Sequence, residues 1–234
     1  MIESLKKDVL MSNHANSTRS EAQTWGSVAA FLLAVTFIVS PLIYLVGDLR
    51  DALGRFGYNL ADFLYGPVWA ASLLTLVFVL RERMGERAPR RMSLALLAAV
   101  LAAGTAILVA LIRSANRQYH LIHPELHLED SATVLIVWTT LVSGVTAASW
   151  HFLGWALLLI GSSGWTSGGL PRLLSAFYLT AGIVALFVYL LPGSDVVAAL
   201  LGVVVSTWQG ILFWKTRDVD AQAPQLNASH FHQT

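Results

Sequence analysis

The sequence predicts an all-α, polytopic integral membrane protein with six transmembrane helices in one bundle. Of its 234 residues 56% are hydrophobic and only 12% are charged, and the mean hydropathy is +0.62. A soluble domain usually contains about 25% charged residues, so this composition excludes an ordinary soluble protein. Several apolar stretches also reach roughly 20 residues, the length at which a helix crosses a hydrocarbon core about 30 Å thick.

Three segments follow from the distribution of polar residues. Residues 1–24 form a polar cytoplasmic N-terminal segment, which lacks the short apolar run and cleavage-like site of a secretory signal peptide. Residues 25–215 form the six-span bundle. The polar tail 216–234 contains Pro224 and is predicted to be disordered and cytoplasmic.

The six spans are expected to be helices because backbone amides have no water partner inside lipid. The fourth is long enough to tilt strongly or to project from the membrane. Pro192 and Gly193 predict a tight turn before the last span, which Ser194 or Asp195 can cap. The spans cover residues 25–46, 61–80, 92–112, 132–161, 170–191 and 194–214.

The orientation follows from the distribution of lysine and arginine, which are enriched in cytoplasmic loops. With a cytoplasmic N-terminus, eleven of these residues lie in inner segments and four in outer segments. The sequence therefore predicts a multi-pass protein with both termini in the cytoplasm. The loop between the third and fourth spans then faces outward.

Two spans carry small side chains at every fourth position, which form a stripe along one helical face. Such stripes allow close helix packing where lipid removes the hydrophobic drive for association. We expect packing within the bundle, with a second copy, another membrane protein or a substrate as alternative neighbours. The stripes are Ala98, Ala102, Ala106 and Ala110 in the third span and Ala198, Gly202, Ser206 and Gly210 in the sixth.

Residues 130–215 contain an apolar helix, a short Ser-Gly-x-Leu-Pro-Arg loop and a following helix with a glycine. The positions of this pattern are Ser167, Gly168, Leu170, Pro171, Arg172 and Gly182. The pattern resembles the bacterial membrane family catalogued as domain of unknown function 4386. This resemblance implies a bacterial inner-membrane location and a six-span bundle, and it supplies no catalytic residue.

The predicted outer loop, QYHLIHPELHLED at residues 118–130, is a candidate metal site. His120, His123 and His127 follow a spacing of three and four, and Glu129 adds an oxygen ligand suited to a divalent ion. Pro124 argues against one continuous helix through all three histidines. The alternatives are an interfacial helix with solvated histidines, or an outer loop that senses protons.

Three polar residues within the spans are candidate functional residues, since such groups are costly in lipid and usually face a partner. His151 lies roughly 15 Å from the cytoplasmic end of the fourth span by helical rise, at a depth similar to that of Gln209 and Tyr178. His151 at this depth could form hydrogen bonds between helices, bind a ligand or relay protons. Asp62 is a substrate or proton handle, or it caps a helix together with Asn59.

An arginine-rich loop, RERMGERAPRR at residues 81–91, is predicted on the inner side. It suits contact with anionic lipid, at about 1 kcal/mol per basic residue near the surface. The alternative is that it only determines the topology. Its arginines are Arg81, Arg83, Arg87, Arg90 and Arg91.

Several function classes are excluded or disfavoured by the residues themselves. No cofactor is expected, because bis-histidine haem ligation needs a second intramembrane histidine and none of the three lysines lies inside a span. The net charge of +1 argues against nucleic acid as a partner. Two classes remain: a non-catalytic transporter-like, sensory or partner-packing component, and a membrane enzyme or metal-binding protein that uses the outer histidines.

Overall fold

The structure of the protein, a computed structural model, describes the backbone of residues 2–45, 47–122, 132–191 and 193–231 and the side chains of 21–43, 52–122, 132–191 and 193–216. Within these ranges the chain consists of helices and short turns without a strand, so the predicted all-α class is confirmed. The α-helices are α1 (Ile2–Leu45), α2 (Gly47–Phe63), α3 (Trp69–Met84), α4 (Pro89–Ile122), α5 (Ala132–Ser167), α6 (Arg172–Leu186) and α7 (Ser194–Phe231).

Five helical stretches of the described chain are long and apolar enough to cross a membrane. This length and composition are those of a multi-pass helical membrane protein. Each stretch contains most or all of one predicted span. The stretches are Glu21–Ile43, Ala52–Met84, Pro89–Ile122, Ala132–Ser167 and Ser194–Thr216.

The helix in the predicted span 170–191 is shorter than the sequence suggests. α6 has 15 residues, which correspond to about 22 Å of helix. After Leu186 the backbone tightens, and the N–H of Leu190 donates to the carbonyl of Phe187 at 2.9 Å. Pro192 disfavours helical backbone at the residue before it, so the helix does not extend to the end of the apolar run.

Most helices pack against their neighbours along the chain. α3 contacts α4, α4 contacts α5, α5 contacts α6 and α6 contacts α7, while α1 packs against both α3 and α7. The first and last helices are therefore adjacent. The interior between the helices is apolar. It includes Leu33, Leu73, Leu153 and Phe213, each no more than 4% exposed.

Both small-residue stripes are covered by other helices of the same chain. In α4, Ala102 is fully buried, and its carbonyl accepts a hydrogen bond from Ser149 of α5 at 3.1 Å. In α7, a Cβ added at Gly202 would lie 2.8 Å from the ring of Phe37 in α1. The stripes thus serve packing within the chain, as expected, and they are not exposed for contact with a second copy.

α5 and α6 approach each other through two glycines. A Cβ at Gly154 would lie 2.9 Å from the carbonyl oxygen of Gly182, and a Cβ at Gly182 would lie 2.9 Å from the carbonyl oxygen of Gly154. Only hydrogen fits between the two backbones at this crossing. Close contact of this kind is typical of helices associated within membranes.

The backbone of α7 continues beyond the membrane-length stretch to Phe231. This helical backbone covers residues 216–231 of the predicted tail, whose disorder stays a prediction.

Candidate functional site

A buried ion cluster joins α2 to the C-terminal turns of α4. Asp62 is 3% exposed, and its Oδ2 accepts a hydrogen bond from Arg117. Its Oδ1 lies 3.7 Å from Nη1 of Arg113. The Nε of Arg117 also donates to Oδ1 of Asn59 at 3.2 Å. Asp62 and Asn59 thus share an arginine partner on α4, which accounts for Asp62 better than the alternative of helix capping.

Two ion pairs of the cluster join one acidic and two basic side chains. One carboxylate faces two guanidinium groups, so these three side chains have a net charge of +1 when all are ionised. The side chains of Arg113 and Arg117 are 27% and 24% exposed. Asp62 is therefore buried, whereas its two arginine partners remain partly accessible to solvent. Pairing with these arginines reduces the free-energy cost of burying the Asp62 carboxylate.

A π-helical segment, Leu64–Val68, begins two residues after Asp62 and connects α2 to α3. Pro67 lies inside it and has no backbone N–H to donate. Gly66 packs so closely on α4 that an added Cβ would lie 2.6 Å from Cβ of Ala110. Single-turn π segments are frequent at functional sites. Here the segment places Asp62 and Tyr65 beside α4.

A cavity opens on one side of this cluster. It has a volume of about 580 Å³, within the usual range for ligand pockets. α1 and α7 supply most of its lining, and α5 adds Thr146 and Trp150. Its charged lining residues are Arg113 and Asp195. The site is thus an apolar cavity with one basic and one acidic side chain.

Aromatic rings form one wall of this cavity. Phe37 and Trp150 both line it, and their ring centroids lie 6.0 Å apart at an interplanar angle of 29°. Tyr65 also lines it and stacks on Trp69 at 6.1 Å. Three helical segments meet at these contacts, so the aromatic wall is held by α1, α5 and the π segment together.

His151 has aromatic neighbours at the α5 surface. The indole N–H of Trp155 donates to Nε2 of His151 at 3.2 Å, and the rings of Phe152 and Tyr189 lie 6.2 and 6.1 Å away. Because Nε2 accepts, a neutral imidazole in this arrangement carries its proton on Nδ1. Nδ1 is buried and has no hydrogen-bond partner among the described residues.

Gln209 belongs to a different buried contact. The hydroxyl of Tyr178 donates to Oε1 of Gln209 at 3.4 Å, and both side chains are at most 1% exposed. Nε2 of Gln209 has no partner within the described part of the chain. The depth estimate placed His151 near this pair. Instead, the structure gives His151 its own aromatic contacts and joins α6 to α7 through Tyr178 and Gln209.

The arginine-rich loop also contacts protein. Arg87 donates to the carbonyl of Ser167 at 3.0 Å, and Arg91 donates to the hydroxyl of Thr166 at 3.0 Å. These acceptors lie in the last turn of α5, where cations favourably meet the negative end of the helix dipole. The guanidinium of Arg83 lies 5.9 Å from the ring centroid of Phe213. All five arginines of the loop are nevertheless exposed, and contact with anionic lipid stays a prediction.

Most of the predicted metal site lies outside the described residues. His120 is described and has an edge contact with the ring of Tyr119 at 6.4 Å, whereas His123, His127 and Glu129 are not described. The rest of the chain, where described, contains no group of three potential metal-ligating side chains. The metal site therefore stays a prediction.

The sequence interpretation missed the role of Arg113 and Arg117. A signal was present, because Asp62 precedes the loop between α3 and α4 by about as many residues as Arg113 follows it. Two antiparallel helical segments joined by one loop therefore place Asp62 and Arg113 at similar distances from that loop, and so at similar depth. A carboxylate at that depth needs a partner.

A comparison with known protein families, curated proteins and solved structures finds no match.

Proposed function

We propose that the protein is a non-catalytic integral membrane protein that crosses the bilayer six times as one bundle and binds a ligand in the cavity beside the Asp62 cluster. Five helices have the length and composition for a crossing. In this proposal α6 and the turns that follow it make the sixth. The 580 Å³ cavity carries the binding function, and a transporter-like or sensory role follows from it.

The proposed orientation places the arginine-rich loop in the cytoplasm and the Asp62 cluster toward the outer face. Both termini are then cytoplasmic. Support comes from the excess of basic residues on one side of the predicted spans. A bacterial inner-membrane location and membership of the family that residues 130–215 resemble stay predictions, since both depend on that resemblance.

Cysteine labelling tests this topology directly, because the protein contains no cysteine. Single cysteines replace the exposed residues Glu86, Gln118, Leu190 and Lys215, and intact cells that express each variant are treated with a membrane-impermeant maleimide. Six crossings predict labelling of Gln118→Cys and Leu190→Cys only, with the other two labelled after lysis.

Each other pattern has a defined meaning. If α6 does not cross, Lys215→Cys is labelled in intact cells and Leu190→Cys is not, and the six-span proposal is wrong. Labelling of Glu86→Cys from outside would overturn the orientation. Gln118→Cys serves as the positive control, because both crossing numbers place it outside.

A further inference from the structure

We propose that the cavity lined by Arg113 and Asp195 binds one phospholipid with a zwitterionic headgroup, its phosphate beside Arg113 and its amine beside Asp195. The inference depends on the proposed function, because it requires the cavity to face the membrane. It adds the chemical class of the ligand and the residues that select it.

The shape and lining of the cavity suit a hydrocarbon chain. Asp195 and Val203 both line it, and they are eight residues apart on α7, which is about 12 Å along a helix. The walls between them are aliphatic and aromatic, with Ile38 and Leu42 on α1 and Leu200 on α7. A polar ligand that extended along this part of the cavity would have hydrogen-bonding groups without partners on the apolar walls. Each such group would cost about 1–3 kcal/mol.

The charged residues suit a headgroup that carries both signs. Arg113 lines the cavity, and its guanidinium presents donors that match phosphate oxygens. Asp195 lies in the first turn of α7 and is exposed. A primary ammonium offers three donors to such a carboxylate. An uncharged alcohol in place of the amine would lose this ion pair, so Arg113 and Asp195 together favour a zwitterionic headgroup.

The length of α6 explains why the cavity is accessible. Residues of α1, α4, α5, α7 and the π segment line it, and no described residue of α6 does. α6 lies between α5 and α7 in the order of contacts, but it ends at Leu186. Beyond that point α5 and α7 are not separated by a helix, and lipid is the available material to fill the space.

Native mass spectrometry of the detergent-purified full chain tests the proposal. Delipidated protein is titrated with phosphatidylethanolamine, and with phosphatidylglycerol of the same acyl chains as the anionic comparison. We expect one phosphatidylethanolamine per chain, bound about fivefold more tightly than phosphatidylglycerol, because phosphatidylglycerol lacks the ammonium and so loses one surface charge interaction of about 1 kcal/mol. Equal or tighter binding of phosphatidylglycerol would overturn the headgroup assignment.

Two variants of α7 test the position of the acyl chain. Ala199→Phe fills the cavity, since Ala199 lines it, whereas Val197→Phe adds the same ring to an exposed position outside the lining. Ala199→Phe should lose most of the bound lipid and Val197→Phe should retain it. If a folded Ala199→Phe variant binds as much lipid as Val197→Phe, the cavity is not the binding site.

Asp195→Asn tests the headgroup at an exposed residue. Binding of phosphatidylethanolamine should fall to the level of phosphatidylglycerol, and an unchanged preference would contradict the role of Asp195. Inorganic phosphate should not displace the lipid, and displacement would show a site for a free anion instead. Absence of any bound lipid overturns this inference while leaving the cysteine-labelling result, and hence the six-span topology, unaffected.

Discussion

Asp62 on α2 and Arg117 on α4 are 55 positions apart in the sequence, yet they form an ion pair whose acid is 3% exposed. Asp62→Asn should therefore destabilise the protein by removing the anion that two arginines share. We expect a loss on the order of 2 kcal/mol, below the 3–5 kcal/mol of a fully buried pair because the arginines are partly exposed. Thermal unfolding in detergent measures it.

A double-mutant cycle separates this ion pair from general damage. The Asp62→Asn, Arg117→Gln double variant should be less destabilised than the sum of the two single variants, by at least about 0.5 kcal/mol. Arg55→Gln is the matched control on α2, since Arg55 is exposed. Strict additivity of the two changes would show that the pair contributes no coupling.

The glycine contact between α5 and α6 gives a second prediction. Gly154→Ala should destabilise the protein by about 1–3 kcal/mol, because its Cβ would lie 2.9 Å from the carbonyl oxygen of Gly182 and the helices would have to separate. Gly144→Ala on the same helix has nothing within 4 Å of its Cβ and should be neutral or slightly stabilising. Unfolding in a denaturing detergent compares the two; equal effects would mean that α5 and α6 are not in close contact.

The buried contact between Tyr178 and Gln209 gives a prediction about how much a polar pair in the interior contributes to stability. Tyr178→Phe removes the hydroxyl that binds Oε1 of Gln209 and should cost about 1 kcal/mol. Adding Gln209→Leu should restore that stability, because an apolar pair leaves no unpaired group. Thermal unfolding of the wild type and these two variants is the measurement. If the double variant is the least stable of them, Gln209 has a structural partner beyond Tyr178.

The arginine contacts with α5 predict a local effect. The Arg87→Gln, Arg91→Gln variant loses two charged donors to the last turn of α5, so amide exchange in residues 162–169 should accelerate by about five- to tenfold, which corresponds to roughly 1–1.4 kcal/mol. Arg90→Gln changes an exposed arginine of the same loop and should leave these amides unchanged. A similar acceleration by Arg90→Gln would indicate an effect of loop charge alone.

The sequence predicted the helical class and the approximate positions of the spans because apolar length alone determines both. It overestimated α6, since an apolar run such as 170–191 does not reveal where i→i+4 hydrogen bonding gives way to turns. The small-residue stripes were correctly expected to pack within the bundle. Their partners, Phe37 and Phe31 for α7, required the tertiary structure.

The candidate site was predicted only in part. Asp62 was identified from the cost of a charge at the edge of a span, but its partners on α4 were not, because pairing depends on how two helices are rotated about their axes. His151 was placed correctly on α5, whereas its neighbours Trp155 and Tyr189 follow from that same rotation. Sequence spacing gives the position of a residue along the helix axis. The direction in which its side chain points around that axis follows only from the packed structure.

The short α6 beside the 36-residue α5 has a consequence for the surrounding bilayer. A helix of about 22 Å is several ångströms shorter than a typical hydrocarbon core, and such hydrophobic mismatch is relieved when the bilayer thins locally. With the proposed six crossings, the membrane should therefore be thinner along the α6 side of the protein than along the α5 side. Thin bilayers should accommodate the protein at lower cost than thick ones, so acyl-chain length becomes a determinant of where it resides.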